Sequence, residues 1–180
     1  MSEKNRNKYR IKPARLPNWD YRWAGAYFIT ICTQNRMHYF GKVVDGNMVL
    51  SNIGMIANKM WYEIKHHTGN VELGAFIVMP NHVHGILILN NKEEIFQKFS
   101  SKIMDKNKFM SKISPKSNSL STIIRSYKSA VSKHVHRLGY QFAWQPRFYD
   151  HLIRDPDAYD RITQYIINNP AKWGKDKFFT

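Results

Sequence analysis

The sequence has 180 residues, of which 43% are hydrophobic and 14% aromatic, so it is long enough and apolar enough for one globular domain with a substantial core. Lys and Arg number 28 against 13 Asp and Glu, and the resulting formal net charge of +15 favours polyanionic partners, with nucleic acid the leading candidate. The single cysteine excludes an intrachain disulfide and a cysteine-cluster zinc site, and no stretch reaches the roughly 18 apolar residues of a membrane span.

Residues 1–20 are basic and contain Pro13 and Pro17, so we expect an extended N-terminal arm. Its cations could follow a phosphate backbone, and a solvated tail is the alternative. The arm has no apolar signal-peptide core, so a cytoplasmic location is expected. Residues 21–180 are predicted to form a single domain.

The first half of this domain is predicted to begin with a strand over 26–35, which is rich in β-branched and aromatic residues. A hairpin turn is expected around 45–47 at Asp-Gly-Asn, and Ser51 or Asn52 is the expected N-cap of a first helix. The stretch VELGAFIVMPNHVHGILILN at 71–90 predicts two apolar strands with a break at 80–81.

The second half begins with residues 91–119, a Lys-, Ser- and Asn-rich insertion that we expect to be mobile or only partly helical. A second core helix is predicted over 120–138, with Gly139 as its stop. The segment FAWQPRFYDHLIRD at 142–155 predicts an edge strand, because proline is tolerated at an edge. Asp155-Pro156 begins a last helix, which runs until Pro170.

This order of elements predicts an α+β fold. It is typical of a ferredoxin-like antiparallel sheet with helices on one face, together with one additional C-terminal helix.

Two histidines open the second strand of the 71–90 stretch. Residues two apart on a strand share a face, so His82 and His84 would project together and could hold one metal ion. The alternative is a pair of core histidines satisfied by backbone carbonyls or water. His134 and His136 have the same spacing but lie on a predicted helix, where residues two apart are separated by about 200 degrees and point apart.

The last helix carries a second polar pair. Ile162, Tyr165, Ile166 and Asn169 fall on one helical face, and Tyr165 and Asn169 are one turn apart. The metal site at the histidines is the obvious partner for these two polar side chains. A core tyrosine with its hydroxyl at the rim is the alternative. Tyr159 is the other tyrosine of this helix that could act as a nucleophile in place of Tyr165, and its spacing turns it to another face.

Three segments together resemble the REP-associated tyrosine transposases and their single-tyrosine HUH relatives from insertion sequences. These segments are FIVMPNHVHGILI, SYKSAVSKHV and WQPRFYDHLIRDPDAYDRITQYIINNPAKW. The resemblance implies that His82 and His84 bind a divalent metal, Mg²⁺ or Mn²⁺, and that Asn169 helps to hold it. It also implies that Tyr165 attacks single-stranded DNA at hairpin or repeat sequences and forms a 5′-phosphotyrosine intermediate.

The same resemblance implies DNA transposition by cleavage and rejoining, in the cytoplasm of a bacterium and at its nucleoid. Two other functions remain open: a non-catalytic nucleic-acid-binding regulator on the same fold, and an HUH endonuclease that nicks without transposing. A monomer and a homodimer are both compatible with the sequence.

Trp144 and Phe148 could stack on bases or belong to the core. The residues expected to contact DNA phosphates are Arg125, Lys128, Lys133, Arg147 and Arg154.

Overall fold

The computed structural model describes residues 22–90 and 119–179, so the predicted arm and nearly all of the predicted insertion lie outside the described residues. No helix in these two ranges is long and apolar enough to cross a membrane. In chain order the elements are β1 (Gly25–Cys32), β2 (Gly41–Val44), β3 (Asn47–Leu50), α1 (Asn52–His67), β4 (Val71–Met79), β5 (His82–Leu89), α2 (Leu120–Arg137), β6 (Tyr149–Ile153), α3 (Pro156–Ile167) and a 3-10 helix (Pro170–Lys175).

A four-stranded sheet in the order β4-β5-β1-β6 forms the centre of the domain. Every neighbouring pair of strands in it is antiparallel. Strands β2 and β3 form a separate hairpin. The predicted α+β architecture is therefore confirmed, and β5 is the interior strand that its apolar sequence predicts.

Helices α1 and α2 cover one face of the sheet. Val83 and Leu87 of β5 belong to the same buried cluster as Trp61 of α1 and Tyr127 of α2. The Trp61 indole stacks on the ring of Phe76, with 4.4 Å between centroids and 8° between planes. Large aromatic side chains thus supply much of the apolar surface that this face buries.

Helix α3 covers the opposite face. Ile166 of α3 is fully buried in a second, smaller cluster with Ile86 of β5 and Ile153 of β6. Because side chains alternate along β5, the two clusters lie on opposite sides of one strand. His82 and His84 share the side of Ile86, so they face α3.

The ends of the helices follow the sequence signals. The Ser51 side chain accepts a hydrogen bond from the Gly54 amide at the start of α1, and Asp155 does the same for the Ala158 amide at the start of α3. Gly139, just beyond α2, has a φ of +81°, a conformation in which glycine is favoured. These three predicted boundaries are confirmed.

Two predicted strands are shorter than expected. Strand β1 ends at Cys32 instead of Asn35, because Asn35 and Arg36 adopt φ angles of 52° and 55° and leave the extended conformation. Strand β6 begins only at Tyr149, so Pro146 precedes the edge strand and is not part of it.

The last helix ends at Ile167, before the residues that adjoin Pro170.

Gly85 gives a test of the packing against α1. A Cβ at this position would overlap Cζ2 of the Trp61 indole and lie 3.0 Å from the Phe76 ring. We predict that Gly85→Ala lowers the free energy of unfolding by about 1–3 kcal/mol, because the stacked rings have no space to move into. Urea denaturation of the two proteins gives the difference. Gly69→Ala is the matched control, since a Cβ there meets nothing within 4 Å.

Candidate metal and tyrosine site

The histidine pair lies at the start of β5. Both imidazoles are buried, at 0% exposure for His82 and 1% for His84, and their ring centroids are 4.4 Å apart. The prediction that the two rings project together is confirmed. Two imidazoles so deep in the protein require either hydrogen-bond partners or a bound cation.

Asn81 determines the tautomer of His82. The Asn81 side-chain Nδ2 donates to the carbonyl of Phe178 at 2.8 Å, and a carbonyl can only accept, so the orientation of the amide is determined. The Asn81 Oδ1 therefore faces His82 Nδ1, at 2.8 Å, and Nδ1 must carry the proton. The other nitrogen, His82 Nε2, is left with a lone pair and has no hydrogen-bond partner among the described residues.

His84 has a partner on each side. Its Nδ1 lies 2.9 Å from Oγ1 of Thr30, which is directly opposite it on β1. Its Nε2 lies 3.3 Å from the hydroxyl of Tyr165. The β5–β1 register and the docking of α3 together bring the tyrosine to the histidines.

Tyr165 is 40% exposed, so it is not a core tyrosine. Its ring meets Phe28 edge to face at 6.1 Å, while its hydroxyl reaches His84. The rival, Tyr159, lies elsewhere: its hydroxyl would be 2.8 Å from a Cβ added to Gly74 of β4. The structure thus brings Tyr165, and not Tyr159, to the histidine pair.

Asn169 follows α3 and is 2% exposed. Its Nδ2 donates to Oδ2 of Asp176 at 2.9 Å. Its Oδ1 is buried and has no hydrogen-bond partner among the described residues. The site therefore holds a second lone-pair donor without a partner, in addition to His82 Nε2.

Sequence reasoning missed Asp176. Its carboxylate and the imidazole nitrogens of His82 and His84 supply ligand atoms that all lie within 4.8 Å of one another. Asp176 Oδ2 also lies 3.4 Å from the Tyr165 hydroxyl. No spacing pattern could have indicated this residue, because its position depends on the 3-10 helix that follows Pro170.

Burial sets the protonation of the site. Desolvation, with the nearby His84, Lys177 and Arg36, lowers the pKa of His82 to about 2. Desolvation lowers the pKa of His84 to about 4, although the negative charge of Asp176 opposes this shift. Desolvation and Asp176 together raise the pKa of Tyr165 to about 12. At neutral pH the site therefore presents two neutral imidazoles and a protonated phenol.

The predicted phosphate contacts do not converge on this site. Arg125, Lys128 and Lys133 lie on α2, on the other face of the sheet from the histidines. Lys128 donates to the backbone carbonyl of Gln145, and burial lowers its pKa. Arg147 and Arg154 are exposed beside the two ends of β6.

Of the two candidate stacking residues, Trp144 is partly buried and packs against the core. Its ring meets those of Phe40 and Phe142 at 5.3 and 4.9 Å, and its Nε1 donates to the Lys128 carbonyl. Phe148 is half-buried and packs against the same cluster. Both aromatic side chains thus pack against the core, which was the alternative to base stacking.

No family model matches the sequence. The chain is 32% identical over 169 residues to an uncharacterized protein of Haemophilus influenzae, a match that covers 92% of this chain and 91% of the relative. It is 27% identical over 103 residues to the REP-associated tyrosine transposase of Escherichia coli K12, covering 57% of this chain and 46% of that protein.

A solved structure has the same fold. It is that of a REP-associated tyrosine transposase bound to a REP hairpin, with a TM-score of 0.58 and 22% identity, and the match covers 91% of this chain and 76% of the other. The α+β fold of the chain is thus the fold of that transposase. The resemblance indicated by the sequence motifs is confirmed: the chain is similar to REP-associated tyrosine transposases in sequence and in fold, and it belongs to one family with the uncharacterized Haemophilus influenzae protein.

Proposed function

We propose that this protein is a metal-dependent transposase that cleaves and rejoins single-stranded DNA through a 5′-phosphotyrosine on Tyr165. One observation carries the proposal: the hydroxyl of Tyr165, a residue that is 40% exposed, lies 3.3 Å from Nε2 of the buried His84. A nucleophile that reaches solvent on one side and a ligand group on the other is the arrangement this reaction requires.

The residues present fit a divalent metal. His82 Nε2 and Asn169 Oδ1 are buried lone-pair donors without hydrogen-bond partners among the described residues, and a buried polar atom left unpaired is costly. Neutral imidazole nitrogens and an amide oxygen are ligands that Mn²⁺ accepts, and Mg²⁺ prefers the oxygen. His82, His84 and Asn169 would hold the ion.

The bound metal would supply positive charge and so neutralise the scissile phosphate. Tyr165 supplies the nucleophile: its phenol loses a proton, its oxygen forms a bond to phosphorus, and the bond from phosphorus to the 3′-oxygen breaks. A 3′-hydroxyl is released and the 5′ end remains on the tyrosine. Because one phosphodiester replaces another, a second 3′-hydroxyl can reverse the exchange without ATP.

DNA is the partner that the chemistry and the charge favour. The related transposase of known structure is bound to a REP hairpin, and this chain carries a formal net charge of +15. We propose hairpin or repeat DNA as substrate for a single domain at 21–180, acting in the cytoplasm at the nucleoid with 1–20 as a basic arm. The proposed phosphate contacts remain Arg125, Lys128, Lys133, Arg147 and Arg154.

Incubation of the protein with single-stranded hairpin-repeat DNA and Mn²⁺ should yield a covalent protein–DNA adduct that resists denaturation. Tyr165→Phe should abolish the adduct, because the nucleophilic oxygen is lost. Tyr159→Phe on the same helix is the matched control and should retain it. A denaturing gel measures the adduct, and peptide mapping identifies the modified residue.

An adduct on Tyr159, or an adduct that persists in Tyr165→Phe, would contradict the assignment of the nucleophile. Tight, salt-sensitive DNA binding with bound metal but no adduct on any substrate would instead indicate the non-catalytic binding regulator.

The low pKa of the buried histidines predicts an acid destabilisation of the metal-free protein. An unfolded histidine has a pKa of 6.5, whereas His82 in the folded state has one of about 2. Below pH 6.5 the unfolded chain therefore takes up a proton that the folded protein does not, and stability falls as the pH falls. The contribution of this one group is about 1.4 kcal/mol for each pH unit below that point.

Urea denaturation in EDTA between about pH 7.5 and 5 should thus show a smaller loss of stability for His82→Gln than for the unchanged protein. His66→Gln, which replaces an exposed histidine of α1, is the control and should keep the full pH dependence. Identical slopes for all three proteins would show that His82 is not buried in its neutral form.

A further inference from the structure

The charge around the histidine pair is unfavourable for a cation unless an acidic group takes part. His82 and His84 are neutral, and Asn169 carries no charge. Arg36 and Lys177 are close enough to lower the pKa of His82 by their positive charge. A divalent ion held by three neutral ligands beside these two cations would be repelled by its surroundings.

Asp176 is the acidic group at this place. Its carboxylate lies with the imidazole nitrogens of His82 and His84 inside a set of ligand atoms no more than 4.8 Å apart. Its Oδ2 is 2.9 Å from Nδ2 of Asn169, and this hydrogen bond leaves Oδ1 of Asn169 as the unpaired atom. The carboxylate of Asp176 thus lies beside both the histidines and the Asn169 amide.

The other carboxylate oxygen is held by the backbone. Asp176 Oδ1 accepts from the amide of Phe178 at 2.7 Å. The carbonyl of Phe178 accepts from Asn81, the same side chain that orients His82, and its ring lies 4.5 Å from the His82 ring. Arg36 donates to the carbonyl of Lys177 at 3.0 Å. Residues 176–178 are therefore docked on the histidine pair by contacts that position Oδ2.

We propose that Asp176 is the charged ligand of the metal site, delivered by the docked segment 176–178. The inference rests on the proposed function, because it concerns the same ion. Two histidines and one carboxylate form an established ligand set for divalent transition metals, and a carboxylate also suits Mg²⁺. The three ligands expected from the sequence, two imidazoles and one amide, are all neutral. Asp176 adds the negative charge that they lack.

Titration of the full-length protein with MnCl₂ in a calorimeter, without DNA, tests the proposal. Asp176→Asn should weaken Mn²⁺ binding about tenfold or more, since the charge is lost while the shape is kept. Asp176→Glu should recover part of the affinity. Glu63→Gln, which removes one negative charge from α1 on the other face of the sheet, should bind within about twofold of the unchanged protein.

Phe178→Ala tests the delivery of the carboxylate. It keeps every ligand but removes the ring that contacts His82, so Mn²⁺ affinity should fall by about threefold to tenfold. If Asp176→Asn and Phe178→Ala both bind Mn²⁺ as tightly as the unchanged protein, Asp176 is not a ligand, and the proposed function survives. If the unchanged protein binds no Mn²⁺ at millimolar concentration, both this inference and the metal dependence of the proposed function are wrong.

Discussion

The hydrogen bond between Asn81 and His82 is the interaction on which the rest of the site depends. A buried imidazole that lost this partner would turn or draw in water, and neither would leave Nε2 as a free lone pair. The same Asn81 side chain holds the Phe178 carbonyl, so one fully buried amide joins the histidine strand to the C-terminal segment. The position of Asp176 follows from that connection.

The two faces of the sheet have different roles: one packs the larger core, and the other carries the candidate site. On one face of β5, Gly85 admits the Trp61 indole, and aromatic packing against α1 and α2 builds the larger core. On the other face the smaller cluster around Ile86 and Ile166 needs only α3 to cover it. Polar ligands can therefore lie at the end of the face covered by α3 without disturbing the larger core on the opposite face. This division explains how an interior strand can carry two neutral, buried histidines.

The sequence predicts the parts of this site that depend on local periodicity. Alternation along β5 places His82 and His84 together, and helical spacing places Tyr165 and Asn169 on one face of the last helix, or just beyond its end. The residues it misses depend on contacts between segments distant in the chain. Asp176 reaches the histidines only because a 3-10 helix follows Pro170, and that turn has no pattern of its own. From the sequence alone, Trp144 could stack on a DNA base or pack against the core, and only its contacts with Phe40 and Phe142 in the folded protein distinguish the two.

The most direct test of the account is a crystal of the protein grown with Mn²⁺ and measured for anomalous scattering. The account predicts one strong anomalous peak within coordination distance of His82 Nε2, His84 Nε2 and Asn169 Oδ1, beside the Tyr165 hydroxyl. A structure with Mn²⁺ bound at other residues, or with His82 Nε2 hydrogen-bonded to a protein group in place of the ion, would contradict it.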